Sequence, residues 1–156
     1  MDDAKIELVA MSADEAARMA AAAPGEGDNW AEGFPRKDDQ DVAASLAANP
    51  DPGVFGSYRI VLPGTGQSIG TAGFHGPPRV SGQVTIGYGL VRQEWGNGYG
   101  TEAVADLIGI CRRHGQVTVI AADTDRDNIA SQRVLEKNGF ERVRTTEQGC
   151  FFELTL

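Results

Sequence analysis

The sequence predicts an α/β (α+β) domain: one central, mixed, mostly antiparallel twisted sheet flanked by about four helices. Three observations carry this expectation. The chain has 156 residues, the length of about one domain, so 1–156 is read as a single unit. Hydrophobic residues make up 41% and charged residues 23%, the balance of a chain that buries a core rather than one that stays disordered or spans a membrane. Residues 83–122 read as strand, helix, strand with the length of a parallel crossover, whereas the segments on either side read as hairpins.

Residues 6–11 form a short strand. Ser12, with Glu15 three residues later, is a capping-box signature. It opens a helix over 13–23 that is rich in alanine and so has a weak core-facing side. The run 24–29 has the Pro, Gly and Asn of a loop. A second helix starts near Asp38 or Asp39 and stops at Asn49-Pro50. Strands follow over 54–62 and 67–74, around the turn Pro63-Gly64-Thr65-Gly66. His75-Gly76-Pro77-Pro78 breaks the pattern before a strand over 83–91. In 99–114, Val104, Leu107, Ile108 and Cys111 recur at i, i+3, i+4 and i+7, the apolar stripe of a helix. Residues 117–122 are almost wholly apolar, as expected of a strand covered on both faces. A helix over 128–138 ends at Gly139, and strands over 140–144 and 150–156 make a closing hairpin.

Lys and Arg number 14 against 22 Asp and Glu, a formal net charge of −8. A surface of that sign repels phosphate backbones and anionic headgroups, which argues against nucleic acid or a membrane as partner and favours cationic ligands. Cys111 and Cys150 are too few and too far apart for a disulfide framework, and neither has a second Cys at metal-ligand spacing. Reduced thiols, a start without a basic and apolar leader, and no run of the ~18 apolar residues a span needs set a cytoplasmic expectation.

The sharpest local feature is Gln93-Glu94-Trp95-Gly96-Asn97-Gly98-Tyr99-Gly100-Thr101-Glu102, between a strand and the clearest helix. Glycines there let backbone N–H groups turn inward at a helix N-terminus, where the helix dipole adds positive charge, and so make a phosphate cradle. The loop is not a Walker A sequence, since no Gly-Lys-Ser/Thr follows. Nor is it a dinucleotide fingerprint, because Thr101 stands where a third glycine belongs. The same glycines also suit a plain strand-to-helix turn.

A second element, Asn128-Ile129-Ala130-Ser131-Gln132-Arg133-Val134-Leu135-Glu136-Lys137-Asn138-Gly139-Phe140, follows at the right distance. With both in order, the sequence resembles the GNAT superfamily of acyl-CoA N-acyltransferases. Gln93, Gly96 and Gly98 match that family's Q/R-x-x-G-x-G/A loop. Trp95-Gly-x-Gly-Tyr-x-Thr-Glu-Ala and Ile86-Gly87-Tyr88-Gly89-Leu90 resemble the branch of the ribosomal-protein N-terminal acetyltransferases, RimJ and RimL. The likeness is strong over about 70–140 and weak before Gly53.

The resemblance implies a single acetyltransferase domain with its acyl-CoA site within about 84–140 and acceptor-side helices within about 12–50. It implies acetyl-CoA as donor, no metal, and pyrophosphate on the backbone of Gly96, Asn97, Gly98, Tyr99, Gly100 and Thr101. Leu90, Val91 and Arg92 would lie beside the pantetheine, and Asn128 would bond it; Asn128 is equally a good helix N-cap. Ser131 would be the general acid toward the leaving thiolate, its alternative being a helix-surface serine. Arg92, Arg133 and Lys137 are candidate partners of the 3′-phosphate. Gly87 and Gly89 would flank the acyl channel or serve tight sheet packing.

Members of this branch often carry Glu directly before Ile-Gly-Tyr; here that position is Thr85, so the expected base is missing. Glu32, His75 and Asp123 are the replacement candidates, with solvent water as the alternative. The Tyr that other members place four residues before the motif glycine is Leu135 here. Trp30, Phe34 and Thr85 are expected around the acceptor, although Trp30 and Phe34 equally suit pinning the helices to the sheet; Tyr88 is read as core. The activity implied is direct acetyl transfer to a primary amine: a protein N-terminus, amino acid, polyamine or antibiotic amine, by a monomer or homodimer. The rivals are a non-catalytic acyl-CoA-binding module, a transferase of longer acyl groups, and a nucleotide-phosphate enzyme.

Overall fold

The computed structural model describes residues 5–48 and 52–156. Its elements, in chain order, are β1 (Glu7–Ala10), α1 (Ala13–Ala20), α2 (Lys37–Ala48), β2 (Ser57–Val61), β3 (Ser68–Phe74), β4 (Gln83–Leu90), α3 (Tyr99–His114), β5 (Val119–Thr124), α4 (Ile129–Lys137), β6 (Glu141–Thr146) and β7 (Gly149–Thr155). The seven strands form one sheet in the order β1-β2-β3-β4-β5-β7-β6. Every neighbouring pair is antiparallel except β4 and β5, which the α3 crossover makes parallel. The expected mixed sheet and its four helices are therefore present.

Local chemistry explains most element ends. Ser12 and Glu15 form the capping box in full, each side chain bonding the other's backbone N–H. α1 stops at Ala20 rather than residue 23, because Ala22 takes φ 52 and Ala22 and Ala23 donate back to Met19 and Arg18. That is a Schellman closure with alanine in the left-handed position. The loop that follows is pinned by the Arg18 fork onto Asp28 (2.6 and 2.9 Å), whose hydrogen bonds hold the Asp28 carboxyl down to about 2. The expected stop of α2 at Asn49-Pro50 lies outside the described residues. β2 starts at Ser57 instead of residue 54, since Gly53–Phe55 turns as a 3-10 helix and drops Phe55 edge-on against Phe74 and His114. The α3 bounds match the apolar stripe, with Val104, Leu107, Ile108 and Cys111 all buried.

β5 corrects the expectation of a strand covered on both faces. It runs Val119–Thr124, and only Ile120 and Ala122 are buried; the alternate residues are half-buried or exposed. The cause lies in the sheet. β4 pairs with β5 only over Gln83–Thr85 against Val119–Ala121. Beyond that rung β4 runs to Leu90 beside β3, while β5, paired with β7 from Val119 onward, continues beside β7 alone as far as Thr124. The sheet opens into a V, and the β4 edge along it has backbone N–H and C=O groups with no strand partner in β5. Among the described residues no helix is long and apolar enough to cross a membrane.

Glu102, in the first turn of α3, ties the crossover to the sheet edge. Its carboxylate accepts the backbone N–H groups of Lys5 (3.1 Å) and Ile6 (3.0 Å) just ahead of β1. Charge-assisted bonds of this kind are worth about 1.5–3 kcal/mol each. Glu102→Ala is expected to speed hydrogen exchange at the β1 amides Glu7–Ala10 at least tenfold while leaving β5 and β7 protected. Equal β1 protection in the variant would refute this role.

Candidate functional site

The V between β4 and β5 is floored by the start of α3 on one side and by α4 on the other. A cleft of about 470 Å³ runs along it beside the glycine loop, between β4 and α4. Gly96 and Gly98 sit at φ 83 and 82, the left-handed region that glycine enters without strain. Gly98 is the N-cap of α3 and has no side chain to cap with, so the first amides of that helix stay open to a ligand. A phosphate fits this arrangement on backbone donors and helix dipole alone. Gly100 is forced by packing: a Cβ there would lie 2.8 Å from Cε2 of Tyr88.

Leu90, Gly96, Gly98, Tyr99, Gly100 and Thr101 all line this cleft, joined by Asn128, Ser131, Arg133 and Lys137 from α4 and its cap. Three expected neighbours stand outside its walls. Val91 is buried in the core, its N–H donating to Ile69. Arg92 is exposed with its guanidinium 5.5 Å over the Trp95 ring, and Asn97 turns its amide onto Glu94. Trp95, a motif residue to which the sequence reading gave no role, locks the loop to the strand: its indole N–H donates to the Leu90 carbonyl (2.9 Å).

A second cleft of about 390 Å³ opens where the V widens. Arg36, Asp38, Tyr88, Asn128 and Ser131 line both clefts, so the two form one continuous channel. His75, Gly87, Asp123, Asp125 and Leu135 line the second cleft. Asn128 caps α4 by accepting the Ser131 N–H (3.1 Å), which orients the first turn of that helix. The Ser131 hydroxyl lies 3.1 Å from the Tyr88 hydroxyl. Tyr88 is thus no simple core residue, as the sequence had suggested; its ring packs on Gly100 and its hydroxyl points into the junction of the clefts. Burial pushes the Tyr88 phenol up, against a smaller opposing pull from Ser131, so it stays protonated at neutral pH.

Other expected acceptor residues lie elsewhere. Phe34 is 6% exposed and meets Trp30 edge-on at 5.9 Å, while Trp30 forms a bridge with Ser68. Both pin the α1–α2 connection to the sheet and neither lines the channel, which is the packing alternative. Glu32 is exposed outside both clefts, its carbonyl taking the Gln93 amide at 2.6 Å. Thr85 is half-buried on the last β4–β5 rung, opposite Ala121, and does not line the channel.

The sequence reading also missed a buried ion pair under the channel. Asp39 is fully buried and accepts from the Arg36 backbone (2.9 Å), from Nε and Nη2 of Arg36 (3.0 and 2.7 Å), and from the Thr71 hydroxyl (2.7 Å). The pair brings the Arg36 guanidinium flat onto β4 at Gly89, where any Cβ would collide with it. A glycine in a strand at a close approach is the signal available in sequence, but it does not name the partner.

The model of the acetyltransferase (GNAT) domain family matches residues 4–141. "Uncharacterized N-acetyltransferase YjdG" of Bacillus subtilis (strain 168) is 35% identical over 86 residues, which are 55% of this chain and 51% of that protein. The chain spans about half the length of the curated relatives it matches. Mycobacterium smegmatis RimJ, solved in complex with CoA-disulfide, superposes with a TM-score of 0.70 at 19% identity, over 96% of this chain and 81% of that one. Microcin C7 self immunity acetyltransferase MccE, solved with acetyl-CoA and AMP, gives 0.73 at 14% identity, over 99% and 94%. At these identities the two structures share the fold with this chain, while the family match covers nearly its whole length: the chain belongs to the GNAT acetyltransferase family.

Proposed function

We propose that this chain transfers an acetyl group from acetyl-CoA directly to a primary amine. The observation that carries the reading is the continuous channel along the split between β4 and β5. It has an open helix N-terminus and glycine loop at one end, a cleft lined by three carboxylates at the other, and paired hydroxyls at the junction. Acetyl-CoA bound there supplies an activated thioester carbonyl. The amides around Gly96, Gly98, Tyr99, Gly100 and Thr101 hold the pyrophosphate, and Arg133 and Lys137, on the cleft wall, suit the 3′-phosphate. The free β4 edge ending at Leu90 pairs with the pantetheine amides, as a missing strand would.

In this reading the protein contributes mainly proximity and two proton movements. Of the base candidates offered by the sequence, His75 and Asp123 line the second cleft and can accept the amine proton there, whereas Glu32 stands outside it. Ser131 donates its proton to the departing thiolate sulfur, and Tyr88, kept protonated by its burial, donates to Ser131 in turn. Tyr88 regains its proton from solvent, so the amine loses one proton and the thiol gains one.

The first experiment is calorimetric titration of acetyl-CoA with ATP as control, followed by thiol release on an amine panel. One-to-one binding of acetyl-CoA and amine-dependent release are the expected results. Binding without release by any amine marks a non-catalytic module, and binding of ATP instead revives a nucleotide enzyme. Ser131→Ala is expected to lower kcat about 100-fold, the usual worth of a positioned acid. Tyr88→Phe should lower it less and add little on top of Ser131→Ala, since both act on one proton. Unchanged affinity for acetyl-CoA in both variants separates this from a folding defect, and full additivity would refute the shared relay.

A further inference from the structure

We infer that the acceptor amine carries a carboxylate close to its amino group, as an α-amino acid does, and that the Arg36 guanidinium receives that carboxylate. The inference rests on the acetyl-transfer reading and names the substrate class of the same channel. A guanidinium has five N–H donors arranged as forks. Asp39 occupies one fork, through Nε and Nη2. The remaining donors, both on Nη1 and the outer one on Nη2, have no partner among the described residues. The side chain is 28% exposed while its Asp39 partner is 0% exposed, so the bound fork faces inward and some of the group still reaches the channel.

The surroundings hold this geometry in place. Asp39 is itself tied to Thr71 on β3, directly across from Gly89 in the strand register, and Gly89 leaves room for the guanidinium to lie on the sheet. A charged group locked in advance by a buried partner binds its ligand without spending side-chain entropy at the moment of binding. Arg36 lines both clefts, which places it at the junction where the thioester must sit. It is also the only Lys or Arg among the described residues lining the second cleft, whose walls include Asp38, Asp123 and Asp125. One cation and several carboxylates within about 390 Å³ suit a small zwitterion, its ammonium toward the carboxylates and its carboxylate on Arg36. A protein N-terminus offers a neutral peptide carbonyl in place of that carboxylate, and a polyamine offers no anion.

The test compares the α-amino acids with their amides as acceptors, by thiol release. N-acetylated amino acids and their amides are also titrated calorimetrically into the CoA-saturated protein, a readout independent of turnover. The acid forms are expected to be preferred at least about 100-fold in kcat/KM, because a site built for a polar group rejects the analogue lacking it. N-acetylated acids, and not their amides, should bind the CoA complex. Arg36→Gln should abolish both preferences while acetyl-CoA binds as before. Should that variant unfold by leaving Asp39 buried alone, Arg36→Gln with Asp39→Asn removes both charges together and must lose the preference equally. Arg36→Lys should recover only part of it, since an ammonium cannot fork. Equal use of acids and amides, no acid used at all, or an acid preference that survives loss of Arg36 would each overturn the inference. Failure to bind acetyl-CoA would overturn the acetyl-transfer reading and this inference with it, whereas acetyl-CoA binding without acid preference overturns this inference alone.

Discussion

Replacing Asp39 with alanine is expected to destabilise the protein by about 3–5 kcal/mol, the usual cost of stripping one partner from a buried ion pair. The carboxylate is fully buried and accepts four hydrogen bonds, from the Arg36 backbone, two guanidinium nitrogens and the Thr71 hydroxyl. Without it the inner fork of the guanidinium has no carboxylate to meet, the Thr71 hydroxyl loses its acceptor, and the start of α2 is no longer tied to β3. Total stability of a domain this size is on the order of 5–15 kcal/mol, so the loss is a large fraction of the whole. Thermal unfolding should show a fall in Tm on the order of 10 °C. Asp39→Asn should fall less, because the amide oxygen still accepts hydrogen bonds. A melting point within two degrees of the wild type for Asp39→Ala would mean that Arg36 finds another partner, and that the pair does not position it.

Gly98→Val is expected to weaken acetyl-CoA binding roughly 10- to 100-fold, with less effect on the fold. Gly98 holds φ 82 at the N-cap of α3, a conformation in which a β-branched residue is strained. Such strain costs about 1–3 kcal/mol, and the loop can relieve it by rotating its peptides away from the cleft. Rotation turns the inward N–H groups outward and removes the donors a pyrophosphate needs. The rest of α3 is held by its buried stripe, so far-UV signal and Tm should change little. Calorimetric titration decides it: undiminished affinity in a folded Gly98→Val protein would place the phosphates elsewhere. Gly100→Val makes an informative contrast, because there the new side chain meets the Tyr88 ring, whereas at Gly98 a Cβ meets only the tip of the Lys5 side chain. It should damage turnover along with binding.

Elements governed by short-range chemistry were legible in the chain. The Ser12–Glu15 capping box, the α3 stripe, the Gly139 stop of α4 and the parallel crossover all depend on spacings of three to seven residues or on connection length. So did the glycine loop and the Asn128–Ser131 turn, because backbone donors at a helix start need only local conformation. Where the reading went astray, a distant partner decided. Phe55 turned residues 53–55 out of β2 to reach Phe74 and His114. β5 keeps β7 beside it throughout but loses β4 after Ala121, so its outer residues border the opening of the sheet.

By itself the sequence determined that this is a one-sheet domain with a glycine loop and an uncapped helix start ahead of its longest helix, for those properties are written in local periodicity and in glycine placement. Only the tertiary structure decided which side chains meet in the channel. Tyr88 reaches Ser131 across 43 positions of chain, and Asp39 reaches Thr71 across 32. It set Trp30 and Phe34 to packing, left Glu32 outside, and laid Arg36 on Gly89. A charge is placed by what surrounds it in space, and no local spacing encodes which strand a guanidinium will lie against.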